Sequence, residues 1–138
     1  MNVRFGLDLA TVASIEQSLA DLGHRYLERI YTAGEIAASG GAGRIDPRRL
    51  AERFAVKEAT LKVLPASDEG VDFRAIELLC DATTGRLGIA VHGHAAELAA
   101  GSGITRLAVS VTSDDRLAAA AVVAEIDVNE AEAEVSPR

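Results

Sequence analysis

The chain has 138 residues, 49% of them hydrophobic, which is enough for one ordinary core and too short for two comfortable domains. Its apolar residues are mostly aliphatic, with no Trp, two Tyr and three Phe, so it lacks the stacking surfaces of a single-strand nucleic-acid platform, and a formal net charge of −7 argues against a duplex binder. Five of the 21 acidic residues (Glu125, Asp127, Glu130, Glu132 and Glu134) lie in the last 14 positions, leaving 16 acidic against 13 basic residues in 1–124, so the acidity belongs largely to a tail. No apolar run approaches the roughly 20 residues of a membrane span. The single Cys80 cannot close an internal disulfide, and no charged-then-apolar leader opens the sequence. The expectation is a cytoplasmic protein without a membrane or nucleic-acid partner.

Residues 2–9, NVRFGLDL, alternate as a first strand, with Val3, Phe5 and Leu7 on one face and Asp8 arriving where the strand ends. A carboxylate there is fixed by a sheet yet open to solvent, which suits catalysis or metal binding; the other reading is an N-cap or turn aspartate. Residues 12–22 carry apolar side chains at 12, 15, 19 and 22 and stop at Gly23, the spacing and ending of a helix, and a short second helix is expected over 24–30. Thr32 and Glu35 form the S/T-x-x-E capping-box pattern, so a third helix starts at Thr32. It runs out in the glycine-rich loop 39–43, which lacks the lysine and hydroxyl of a nucleotide P-loop.

Asp46-Pro47 supplies the N-cap and first-turn proline of a long fourth helix, and Pro65 ends it. On that helix Leu50, Ala51, Phe54, Ala55, Leu61 and Leu64 fall on one broad apolar arc with Glu58 in its middle, Lys62 beside it one turn on, and Lys57 near the other edge. An isolated carboxylate on a core-facing stripe is costly, so Glu58 needs a partner. That partner is either Lys62, as an i,i+4 pair, or an ion held at a cleft with Lys62 facing the same anionic ligand. Arg44, Arg48, Arg49 and Arg53 cluster around the helix start, either to hold phosphate or as a solvated helix end.

Residues 73–80 read as a strand with Cys80 a small buried residue, 81–85 as a turn, and 87–91 as the hairpin mate. His92 and His94 invite a metal reading, but Gly93 between them and the helical pattern after them place the pair at a strand-to-helix junction, where a structural or exposed role fits better. Strands follow over 104–112 and 117–126, and the alanines at 118–121 would let a helix or another subunit approach closely. Residues 127–138 are charged, have no packing face and read as a disordered end. The order of elements gives an α+β domain over 1–126, with antiparallel strands packed on the long central helix.

Two of these pieces together resemble the holo-acyl-carrier-protein synthase group of 4′-phosphopantetheinyl transferases. F-G-L-D-L at 5–9 is similar to that family's G-I/L-D motif, and R-F-A-V-K-E-A-T-L-K at 53–62 to its R-F/W-A-x-K-E-A-x-x-K. A weaker likeness, V-S-V-T-S-D-D-R-L-A-A-A-A-V-V at 109–123, looks like the family's strand-turn-strand ending. The resemblance implies a 4′-phosphopantetheinyl transferase-like fold and a homotrimer with its sites at subunit interfaces. It implies Mg²⁺-dependent transfer of the phosphopantetheine arm from coenzyme A to a serine of an acyl carrier protein, for fatty acid or polyketide biosynthesis. It further implies Asp8 and Glu58 as Mg²⁺ ligands, Lys62 as the residue that holds the phosphates and assists departure, and Arg53, with Arg49 and Ser113, at the coenzyme.

The sequence departs from the family pattern at three places. Ser113 stands where the ending usually has a histidine, Pro65-Ala66-Ser67-Asp68-Glu69 replaces a glycine-rich loop, and Ser14 replaces a first-helix arginine that many members use on the carrier protein. The alternatives are a divergent relative that has lost or exchanged the reaction, and a structural oligomer in which Glu58 and Lys62 are only an ion pair.

Overall fold

A computed structural model describes residues 2–127; the expected disordered tail at 127–138 lies, beyond Asp127, outside the described residues. The elements are β1 (Asn2–Thr11), α1 (Val12–Leu22), α2 (His24–Ile30), α3 (Ala33–Ala38), α4 (Pro47–Val63), a 3-10 turn (Phe73–Ala75), β2 (Ile76–Cys80), β3 (Leu87–Val91), α5 (Gly93–Gly101), β4 (Ile104–Ser113) and β5 (Leu117–Ile126). Local chemistry sets the helix ends. Thr11 caps α1 by accepting from the Ser14 N–H, and the chain leaves that helix through Gly23 at φ 57°. Thr32 and Glu35 close both bonds of a capping box on α3, and Asp46 caps α4 just ahead of Pro47.

β5 is the centre of a three-stranded antiparallel sheet ordered β1-β5-β4, while β2 and β3 form a separate hairpin. α4 lies against β1 and β5 on one side and β2 on another, with α1 and α3 also touching it. This corrects the expected single apolar arc. Val56, Lys57, Ala59, Thr60 and Val63 are fully buried, Phe54, Glu58 and Leu61 are half-buried, and Lys62 is exposed. A helix wrapped by neighbours buries most of its circumference: Leu50, Ala51, Ala55 and Leu64 of the expected arc are buried as well, and beyond Glu52 the helix opens only around Phe54, Glu58, Leu61 and Lys62.

The hairpin strand expected over 73–80 begins only at Ile76, because Asp72 accepts from the Arg74 N–H and starts the 3-10 turn. Cys80, expected to be buried, is exposed. The alternation along β1 turns Gly6, Asp8 and Ala10 toward α4 and leaves Val3, Phe5, Leu7 and Leu9 on the outer face, where they are about half to two-thirds exposed.

Gly6 sets how closely β1 approaches α4, since a Cβ built there would lie 2.0 Å from the Ala59 carbonyl oxygen. Gly6→Ala is therefore expected to push β1 off the helix and cost about 1–3 kcal/mol or more. Thermal unfolding of the variant measures this.

Candidate functional site

Asp8 reaches the site because its place in β1 points it at α4, and α4 presents Lys62 to it. The Lys62 ammonium donates to Asp8 Oδ1 at 3.2 Å and to the Leu7 carbonyl. Glu58 lies one helical turn before Lys62 on the same side. Its carboxyl is pushed above the usual carboxylate range, first by burial and then by the charge on Asp8, with Lys62 pulling the other way. The fold thus brings Asp8, Glu58 and Lys62 together from two segments about 50 residues apart: Lys62 pairs with Asp8, while Glu58 makes no ion pair with Lys62 but lies near enough to feel both charges. Such a site has a charge deficit that a further cation would relieve.

Among the described residues no group of three or more His, Cys, Asp or Glu stands close enough to hold an ion by itself. Two carboxylates are nevertheless the donor set that Mg²⁺ takes from a protein when substrate phosphates and waters complete its shell. The residues present fit that ion better than one needing a full protein cage. Beside them an open depression of about 610 Å³ runs from Leu7, Asp8 and Lys62 across the outer face of the sheet to Ser110, Thr112 and Ala121.

The other residues singled out in the sequence gather at the opposite end of α4. Ser113 donates to Glu52 Oε1 at 2.7 Å and accepts from Arg48 Nε at 2.9 Å, while Arg48 Nη2 donates to the Ser113 carbonyl at 2.7 Å. Arg49 donates to the Ala38 carbonyl at 2.9 Å. Arg53 is buried, bonds the Arg49 carbonyl at 3.1 Å and has an Nε without a partner. No hydrogen bond joins Arg49, Arg53 or Ser113 to Asp8, Glu58 or Lys62 among the described residues.

Sequence reasoning missed Arg48 and Glu52 as the partners of Ser113; their i,i+4 spacing on α4 was the available signal. It also missed the pairing of Lys57 with Glu35, both fully buried and 2.6 Å apart. Burial pulls the Lys57 ammonium below the usual lysine range, with Glu35 opposing.

The two histidines take separate partners. His92 contacts Glu77 at 3.2 Å, whereas His94 lies 2.8 Å from the Ser67 hydroxyl and 3.7 Å from Glu69, so the acidic loop after α4 leans on α5.

Over residues 4–121 the chain matches the family model of the 4′-phosphopantetheinyl transferase superfamily. The holo-acyl-carrier-protein synthase of Chloroflexus aurantiacus is 39% identical over 131 residues, covering 86% of this chain and 95% of that protein. The crystal structure of holo-acyl-carrier-protein synthase from Neisseria meningitidis aligns with a TM-score of 0.75 and 31% identity, over 88% of this chain and 96% of that one. The coenzyme A complex of the Chronobacterium ammoniagenes protein aligns with a TM-score of 0.78 and 25% identity, over 93% of this chain and 100% of that one.

Proposed function

The chain belongs to the 4′-phosphopantetheinyl transferase superfamily and is a phosphopantetheinyl transferase of the holo-acyl-carrier-protein synthase type, and from that premise we propose that Asp8, Glu58 and Lys62 carry its reaction. The reaction moves the 4′-phosphopantetheine group of coenzyme A onto a serine hydroxyl of an acyl carrier protein. The observation that carries the assignment is the meeting of Asp8, which lies inside β1 and not at the expected strand end, with a carboxylate and an ammonium one turn apart on α4.

The chemistry is phosphoryl transfer at a pyrophosphate, which asks a protein mainly for positioning and for charge placed where it develops. Asp8 and Glu58 would hold Mg²⁺, whose contribution when bound is to neutralise charge on the phosphates. Lys62 supplies a mobile positive donor at the same place, paired with Asp8 in the free enzyme and able to turn toward the departing adenosine bisphosphate. Arg53 and Arg49, with Ser113 held by Arg48 and Glu52, form the proposed coenzyme end of the site.

A homotrimer is part of the proposal. The outer face of β1 exposes Val3, Phe5, Leu7 and Leu9 in one row, a larger apolar stripe than a monomer ordinarily leaves in water, and the depression beside Asp8 opens onto it. Phe5→Glu combined with Leu7→Glu is expected to yield monomers by sedimentation and to lower activity. We place the enzyme in the cytoplasm, in keeping with its exposed free thiol at Cys80; among the described residues no helix is long and apolar enough to cross a membrane.

The direct test is mass spectrometry of several apo-carrier proteins incubated with the enzyme, coenzyme A and Mg²⁺. One added phosphopantetheine on a carrier, abolished by a chelator, is the expected result. No mass gain on any carrier overturns the reading and favours the relative with an exchanged reaction, to which Ser113 and the acidic 65–69 loop would then belong.

A further inference from the structure

We infer that the buried Lys57–Glu35 pair is a positioning device that fixes the rotation of α4, and with it the direction in which Glu58 and Lys62 face Asp8; this rests on the reading of Asp8 and Glu58 as the Mg²⁺ ligands. The side chains of Lys57 and Glu35 have no solvent exposure. The Lys57 ammonium has three protons and three acceptors: Glu35 Oε1 at 2.6 Å, the Phe73 carbonyl at 2.9 Å, and the Ile76 carbonyl. Its charge also lies 5.7 Å from the centre of the Tyr31 ring. Glu35 is equally committed, with Oε1 accepting from the Thr32 N–H at 3.1 Å and Oε2 from the Leu78 N–H at 3.3 Å. One residue of α4 is thereby tied to α3, the 3-10 turn and β2, and every donor is directional.

The interface on the other side of α4, against β1 and β5, is more extensive but mostly apolar. There Ala51, Ala55 and Ala59 belong to the same buried cluster as Ala118, Ala120 and Ala124 of β5. Small side chains let the helix approach closely but give few ridges to resist turning about its axis. Glu58 follows Lys57 directly and Lys62 is five residues on, so both turn with it. A rotation of roughly 20° carries a side-chain end about 5–6 Å from the axis through about 2 Å. That is comparable with a whole Mg²⁺–oxygen bond, about 2.0–2.1 Å, and so decides whether two carboxylates can share the ion. Stability alone does not account for the pair, because well-packed apolar residues often replace a buried ion pair without loss.

The experiment compares the parent enzyme with Lys57→Met/Glu35→Leu and with Glu35→Gln, which keeps the shape of Glu35 and an acceptor for Thr32. Three quantities are measured: melting temperature, Mg²⁺ affinity by calorimetry in the presence of coenzyme A, and the metal-free crystal structure. The double variant is expected to melt within a few degrees of the parent yet bind Mg²⁺ about tenfold or more weakly, the usual size of an outer-shell effect. Its Lys62–Asp8 contact should be lengthened. Glu35→Gln should show a smaller loss in the same direction, and it decides the matter if the double variant does not fold. Parent-like Mg²⁺ affinity in the variants overturns the inference. If the parent itself binds no Mg²⁺, the ligand assignment fails separately, and an unrotated α4 in the variant crystal still overturns the positioning role.

Discussion

Asp8→Asn and Glu58→Gln are each expected to slow arm transfer by roughly 10²–10³-fold or more, the scale seen when one group that stabilises developing charge is removed. Neither should unfold the protein. Glu58 is the sharper case, because its carboxyl is raised above the usual range by burial and by Asp8. A carboxyl raised in the fold binds its proton more tightly there than in the unfolded chain. Stability therefore falls as pH rises from the unfolded value through the raised one.

Glu58→Gln removes that penalty, so its melting temperature at pH 7 should equal or exceed the parent's, with the difference vanishing below about pH 4 where both states are protonated. With Mg²⁺ and coenzyme A added the order should reverse, since only the parent gains the full stabilisation of bound ligand. Melting curves across pH, with and without ligand, and transfer rates by mass spectrometry are the measurements. A Glu58→Gln variant that melts earlier yet transfers normally would mean that Glu58 serves only the stability of the fold.

Much of the fold was legible because its punctuation is local. Gly23 ends α1, the Thr32/Glu35 box starts α3, and Asp46-Pro47 with Pro65 brackets α4. Those signals act over three or four residues. What could not be read is what lies across space from a side chain. Periodicity assumes one buried face, whereas α4 is enclosed by β1, β5, β2 and two helices, so the search for its core side put Glu58 in the middle and Lys57 at an edge. Glu35 was recognised for one carboxylate oxygen, as a capping residue, and its hold on Lys57, 22 residues away, left no local trace. Ser113 reads as a lost histidine, yet Arg48 and Glu52, 65 and 61 residues distant, occupy both its donor and acceptor. Asp8, expected at a strand end, lies three residues inside β1, and it meets Lys62 because it faces α4 from the inner side of that strand.

Lys57→Met alone is expected to cost about 3–5 kcal/mol in urea denaturation, the penalty for stranding one member of a buried pair. The methionine fills the space, but Glu35 is left with a carboxylate out of water whose remaining donors are the Thr32 and Leu78 N–H groups. Glu35→Leu should cost a similar amount for the mirror reason, since it strands the Lys57 ammonium against carbonyls alone. The double replacement should recover most of both losses, so the coupling free energy between these two contacting residues should exceed about 3 kcal/mol, the upper end of the usual range. If instead Lys57→Met loses less than about 1 kcal/mol, or the two losses simply add, then water or a shifted loop reaches the pair and it cannot hold α4 in one orientation.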